Sequence, residues 1–245
     1  MVDTLQLGAA VLGFGPAMAL MYFTLKNYTY PAVEKPYFDD RKVFAFFAFG
    51  IVLGMLIYAF ELWGRTISSA YSILVLIMGF AMAEELMKLV ILNFPRFQKK
   101  VDTAFYGLSM GLGIAATYTF ASVYVFIRDL GSDLGVLEII AAAMLGVLFV
   151  LLHGSTTTLI GVGVSRGDVK GYFTEALMIH ILFALMYESF FVAIIPQPFN
   201  LIGLGGAAAI AVYGYNKIHK LSLPALIHDA KKLAQKAAQK KKAAA

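Results

Sequence analysis

The sequence contains no cysteine, which excludes disulfides, thiolate metal sites and cysteine nucleophiles. Charge is also scarce. Only 14% of the 245 residues are charged and 60% are hydrophobic, where a soluble domain carries about 25% charge. No basic region precedes the first apolar run, which opens Met1-Val2-Asp3. The Ala17-Met18-Ala19 triplet is therefore read as part of an uncleaved span and not as a signal-peptidase site. The net charge of +5 is mostly carried at the C-terminal end and gives no reason to expect nucleic acid as a partner.

What is present is a series of apolar runs of helical length. They define an all-α polytopic membrane protein, because only helices and closed barrels satisfy their backbone groups inside lipid. Seven transmembrane helices are expected, at 4–26, 43–62, 67–92, 103–127, 134–165, 171–195 and 199–217. Lys and Arg alternate between the intervening loops. Lys26, Lys35, Arg41 and Lys42 follow the first run, and only Arg65 follows the second. Arg96, Lys99 and Lys100 follow the third, and only Arg128 follows the fourth. Arg166 and Lys170 follow the fifth, none follows the sixth, and eight lysines follow the seventh. By the positive-inside rule the N-terminus is outside and the C-terminus cytoplasmic. Residues 1–220 then form one membrane domain, and 221–245 a basic cytoplasmic tail. The tail reads as a solvated helix, with attraction to anionic lipid worth about 1 kcal/mol per basic residue as the sharper alternative.

The third run is interrupted by Glu84-Glu85-Leu86-Met87-Lys88. A charge at mid-membrane depth costs roughly 2.5–3.5 kcal/mol on translocon scales, so such groups pair, face a wet cavity or do chemistry. The i,i+3 and i,i+4 spacings to Lys88 allow an intrahelical ion pair that needs no function. Other polar residues lie at comparable depth. At a rise of about 1.5 Å per residue, Glu84 is roughly 12 Å, His180 about 15 Å, His153 about 18 Å and Tyr118 about 22 Å from the cytoplasmic ends of their helices. One shared polar site is expected, although a single buried histidine is commonly a packing residue. His219 and His228 fall beyond the last span and read as surface residues. Glu138 and Glu188 fall nearer the outer side and read as structural or cavity-lining. Gly107, Gly111 and Ala115 put a small residue at every fourth position of the fourth run, a close-packing face. Gly13-Phe14-Gly15-Pro16-Ala17 suggests a kink in the first.

Glu84-Glu85-Leu86-Met87-Lys88 resembles the EExxK motif of the PrsW family of intramembrane proteases. Asp102 through Tyr118 is similar to that family's second-motif helix, and His153 and His180 sit where its later histidines fall. The type II CAAX prenyl proteases are more distant relatives with a glutamate pair and two histidines. Their resemblance implies hydrolysis of peptide bonds inside the membrane by water that a glutamate and a histidine activate. Three positions depart from the pattern. Tyr118 replaces the second-motif glutamate, Thr157 replaces an aspartate four residues after His153, and Ala184 replaces an asparagine four residues after His180. The chain also looks like the seven-span γ-secretase scaffold subunit, the anterior-pharynx-defective protein. That likeness rests on Phe14-Gly15-Pro16-Ala17, on Gly107-Leu108-Ser109 with Gly111 and Ala115, on Leu151-Leu152-His153 and on His180.

The resemblances imply two functions. One is a glutamate/histidine intramembrane endopeptidase with Glu84, Glu85, His153 and His180 catalytic and Lys88, Tyr118 and Thr157 supporting. A divalent metal such as zinc on His153, His180 and Glu85 is an optional cofactor. The other is a non-catalytic scaffold for a partner protease. Either implies membrane lipids and a membrane-embedded protein substrate or partner, with the plasma membrane the expected location. A channel or transporter ranks lower, because seven spans do not divide into equal repeats. A retinal protein is excluded, since the seventh run has no mid-membrane lysine.

Overall fold

The computed structural model describes residues 4–67, 73–131, 135–191 and 199–243. Among them every element is helical: α1 Thr4–Leu25, α2 Asp40–Ile67, α3 Ile73–Leu92, α4 Asp102–Leu130, α5 Val136–Arg166, α6 Val169–Phe191, α7 Phe199–Lys217 and α8 Leu223–Ala243. A single π-helical turn, Ile218–Ser222, joins the last two. Helices α1, α2, α4, α5 and α6 are long and apolar enough to cross a membrane, so the chain is an integral membrane protein. Helix α3 is 20 residues long but carries Glu84, Glu85 and Lys88, and α7 has 19 residues. Val11, Tyr22, Val52, Leu56, Val75 and Val90 are exposed apolar side chains, as expected of surfaces whose solvent is lipid.

Most helix limits match the expected runs to within a few residues. The largest departure is at α2, which continues to Ile67 instead of ending near 62. Glu61 and Arg65 look like the end of an apolar run, but both turn toward partners. Tyr118 Oη donates to Glu61 Oε2 at 2.5 Å, and Arg65 pairs with Glu188 of α6. The helix can therefore run on past them. The start of the third expected run, 68–72, and the end of the sixth, 192–195, lie outside the described residues, as does the side chain of Glu138.

Helices α4 and α5 form the core. Residues 103–117 of α4 are all buried, and so are 152–164 of α5. Helix α4 packs against α1, α2 and α5, and small residues set how closely. A Cβ on Gly107 would lie 2.6 Å from the Thr157 carbonyl oxygen, and one on Gly54 of α2 the same distance from that of Ile114. A Cβ on Gly111 would run into the His153 carbonyl oxygen and lie 2.6 Å from Thr157 Oγ1. Gly50 and Gly54 are a second four-residue pair, on α2, that the sequence reading passed over. In α1, Pro16 lies within a continuous helix. It leaves the Leu12 carbonyl without an intrahelical donor. That oxygen instead faces Gly146 of α5, where a Cβ would lie 2.9 Å away.

Helices α5 and α6 are joined by two residues. Gly167 has φ 78°, the left-handed conformation common just after a helix, and Asp168 Oδ1 accepts the Gly171 N–H at 3.3 Å as α6 begins. One end of the bundle is tied together by contacts among helix termini. The Lys99 N–H donates to the Val164 carbonyl at 3.1 Å, Thr24 Oγ1 lies 3.5 Å from Tyr215 Oη, and Lys217 pairs with Glu175. Packing continues past residue 220: Ser222, Leu223, Leu226 and Ile227 are buried, and steady exposure begins at His228. His228 is a surface residue as expected. His219 is not, because it is half-buried with its ring stacked 5.5 Å from that of Tyr215.

These contacts fix the sign of one substitution. Gly111→Ala gains up to about 1 kcal/mol of helix propensity. It also drives a methyl into a backbone oxygen, and overpacking of this kind costs about 1–3 kcal/mol or more. A lower thermal midpoint in detergent is expected. Gly8→Ala, with nothing within 4 Å of the new Cβ, should leave the midpoint unchanged or raise it slightly.

Candidate functional site

Glu84, Glu85 and Lys88 occupy one face of α3 because residues three and four apart are neighbours on a helix. Lys88 Nζ lies 2.7 Å from Glu84 Oε1 and 2.7 Å from Glu85 Oε1. The two imidazoles come from other helices. His153 of α5 places Nδ1 2.8 Å from Glu84 Oε1, and His180 of α6 places Nδ1 2.6 Å from Glu85 Oε1. The rings meet edge to face, 5.4 Å apart. Lys88 and Glu85 are fully buried, and Glu84, His153 and His180 are no more than 6% exposed. Three helices thus bring five polar side chains to one point, as the depth estimate from sequence requires.

Charge balance explains why the group holds together. If both carboxylates are ionised, one ammonium leaves one negative charge uncompensated. One proton on an imidazole neutralises the cluster and leaves both carboxylates ionised. His180 Nδ1 is hydrogen-bonded to Glu85, so Nε2 of a neutral His180 ring is the acceptor, whereas His153 Nδ1 lies between Glu84 Oε1 at 2.8 Å and the Lys88 ammonium at 3.3 Å. His180 Nε2 lies 3.8 Å from Glu84 Oε2. That is too long for a hydrogen bond and suited to one water that donates to both atoms.

The two glutamates are not equivalent. Glu84, His153, His180 and Tyr118 line a cavity of about 50 Å³, whereas Glu85 lies behind it. A water needs about 10–15 Å³ by this measure, so several fit. Glu85 Oε2 is buried with no hydrogen-bond partner among the described residues. A chamber of about 240 Å³ adjoins the cavity and shares Glu61, Arg65, Tyr118, Phe149 and Tyr187 with it.

Glu61 is the residue that sequence reasoning missed. It follows Phe60 near the expected end of an apolar run and belongs to no motif, but it lines both spaces and accepts from Tyr118. The Tyr118 ring packs 4.8 Å from Phe149 and 5.7 Å from His153. A carboxylate from α2 therefore reaches the cavity, held by Tyr118 of α4. A usable signal was the acid itself within an otherwise apolar helix. Thr157 does not join the cluster. Its hydroxyl donates to the His153 carbonyl at 2.7 Å and packs on Gly111, whereas Thr156 Oγ1 lies 3.4 Å from Lys88 Nζ. Gly107, Gly111 and Ala115 are in the α4 interfaces, where Gly107 and Gly111 face backbone carbonyls of α5 and not the charged side chains.

A divalent metal does not fit this arrangement. Donor atoms of Glu84, Glu85 and His180 lie within 4.8 Å of one another, the kind of spacing a metal uses. However, the Lys88 ammonium already occupies the point where the two carboxylates converge. A metal bound there would displace it and leave a buried cation unpaired. Comparison of the chain with protein families, curated proteins and solved structures finds no match.

Removing one partner of a buried ion pair typically costs about 3–5 kcal/mol. Lys88→Met is expected to lower stability by about that much in a reversible unfolding titration in mixed micelles. Lys88→Met/Glu85→Gln should recover part of the loss, because the second change removes a carboxylate the first leaves unbalanced. If the double variant is no more stable than Lys88→Met, packing of the lysine stem, not its charge, accounts for the effect.

Proposed function

We propose that the protein is an intramembrane endopeptidase of the PrsW-like superfamily that hydrolyses membrane-embedded peptide bonds without a metal. The observation that carries this reading is the water-sized cavity lined by Glu84, His153 and His180, with the nearby Lys88 and Glu85 holding them in place. Glu84 is the general base and Glu85 a positioning residue. A water bonded to Glu84 Oε2 and His180 Nε2 gives its proton to Glu84 as its oxygen bonds to the substrate carbonyl carbon. The tetrahedral carbon then expels the amine, which leaves with the proton that Glu84 returns. Glu61 and Tyr118 flank the cavity, with the single hydroxyl proton of Tyr118 donated to Glu61.

Seven spans with the N-terminus outside and the C-terminus cytoplasmic complete the proposal, with the plasma membrane as the location. This orientation is supported by Lys42, Arg96, Lys99, Lys100, Arg166 and Lys217 at the helix ends tied together as described above, against Arg65 and Arg128 at opposite termini.

A second reading, a non-catalytic scaffold for a partner protease, is favoured by one feature. Lys88 lies 2.7 Å from an oxygen of each glutamate, and each histidine faces one of them within 2.8 Å, so the charges of the cluster are largely paired internally. Proteoliposomes holding a library of transmembrane peptides distinguish the two. Positioned general bases contribute about 10²–10⁴-fold, so Glu84→Gln should slow cleavage at least about a hundredfold. A metal chelator should leave the rate unchanged. Cleavage by Glu84→Gln at the parent rate would remove the catalytic reading. Absence of cleavage by the parent, together with a stably co-purifying protease, would establish the scaffold.

A further inference from the structure

At the end of the bundle opposite Arg65, a basic hollow and an apolar slot share one wall. The hollow, about 300 Å³, is lined by Lys42 at the start of α2, by Arg96 and Lys100 of the α3–α4 connection, and by Asp102 and Tyr106 of α4. The slot, about 310 Å³, lies between α2 and the end of α3, with Phe49, Ile91 and Phe94 along it. Phe46, Arg96 and Phe97 belong to both. The Phe46 ring lies parallel to that of Tyr106 at 5.1 Å and edge to face with that of Phe97 at 5.3 Å. The wall is therefore built of packed rings.

The connection that carries Arg96 and Lys100 is held at several points. Gln98 Nε2 donates to the Asn93 carbonyl at 2.9 Å, and Thr103 Oγ1 to the Phe97 carbonyl at 2.6 Å. Lys99 adopts φ 58°, uncommon for a residue other than glycine, and its N–H is fixed on Val164. Arg96 and Lys100 are thereby presented from a rigid segment beside Lys42, where α2 and α4 begin, the level of lipid headgroups in a spanning bundle. One acceptor is left over. Asp102 Oδ2 accepts from Tyr106 Oη at 3.1 Å, but Asp102 Oδ1 is buried without a hydrogen-bond partner among the described residues. A buried acceptor beside three cations suits a ligand that carries both an anion and a donor.

We propose that this two-part recess is a binding site for one anionic glycerophospholipid with a hydroxylated headgroup. The phosphate meets Lys42, Arg96 and Lys100, and a headgroup hydroxyl donates to Asp102 Oδ1. An acyl chain lies along Phe49, Ile91 and Phe94. The charges match a phosphodiester, and the apolar slot that adjoins them matches an acyl chain, which free phosphate lacks. The site is independent of the endopeptidase reading, since none of its residues touches the Glu84 cavity.

The test is native mass spectrometry of the full chain in neutral detergent with equal additions of phosphatidylglycerol, phosphatidylmethanol or phosphatidylcholine. Phosphatidylmethanol matches phosphatidylglycerol in charge and lacks the hydroxyl. One phosphatidylglycerol should be retained in preference to either of the others. Lys42→Ala/Arg96→Ala should weaken its retention about thirtyfold, since two basic contacts of about 1 kcal/mol each are lost. Lys231→Ala/Lys236→Ala, on the exposed part of α8, should not. Equal retention of phosphatidylcholine or phosphatidylmethanol, equal loss in the α8 variant, unchanged retention by Lys42→Ala/Arg96→Ala, or displacement by millimolar inorganic phosphate would each overturn the proposal.

Discussion

The Lys88 ammonium is the constraint on which the rest of the site depends. Two adjacent carboxylates on one helix repel each other, and burial away from water raises the cost of ionising both. A cation 2.7 Å from an oxygen of each removes that conflict without leaving the helix. Once both glutamates are held, each presents an oxygen to one imidazole, and the histidines inherit their ring orientation from α3. The cluster is thus a chain of dependence from Lys88 through the carboxylates to His153 and His180. It also accounts for the poor fit to a metal, because the position of the required positive charge is already taken by a side chain.

The close-packing face and the polar cluster are parts of one mechanical unit. Gly111 of α4 lies against the carbonyl of His153 itself, and Thr157 caps that same carbonyl while filling the space beside Gly111. The distance between α4 and α5 therefore sets where His153 stands. A small residue at 111 is a requirement of the site as much as of the core. The same logic applies where Gly146 approaches the Leu12 carbonyl freed by Pro16, which seats α1 on α5. Helix association in lipid lacks a hydrophobic drive, so backbone proximity of this kind is what holds such a bundle together.

Much of this was legible in the sequence, for definite reasons. Apolar runs of helical length gave the helices, since lipid permits little else, and the convergence of Glu84, Glu85, Lys88, His153 and His180 followed from rise per residue and alternating direction. Three things were not legible. Glu61 and Arg65 resembled a helix end because sequence shows charge but not the partner across the bundle that accommodates it. Thr157 was expected to support the site, but helix rotation turns Thr156 and not Thr157 toward Lys88. His219 followed the last apolar run, yet a π-helical turn carries the chain back onto the bundle and buries part of its ring. In each case the missing information was rotation about a helix axis or a cross-helix contact, neither of which linear periodicity contains.

The division between an active protease and a scaffold comes down to Glu84. Glu85, Lys88 and the two Nδ1 atoms are occupied with one another and would look the same in either protein. Glu84 Oε2 has no close contact with His180, at 3.8 Å, and its side chain lines the cavity. A scaffold needs the histidines held in place, which Glu85 and Glu84 Oε1 already achieve. It has no use for a cavity beside a charged oxygen, where each uncovered polar atom in a lipid-surrounded core is a cost. Glu61, a further buried carboxylate on the same cavity held by Tyr118, adds to that cost. The concentration of acidic oxygen around a space with room for water is the feature that packing alone does not account for, and it is the ground on which the endopeptidase is proposed ahead of the scaffold.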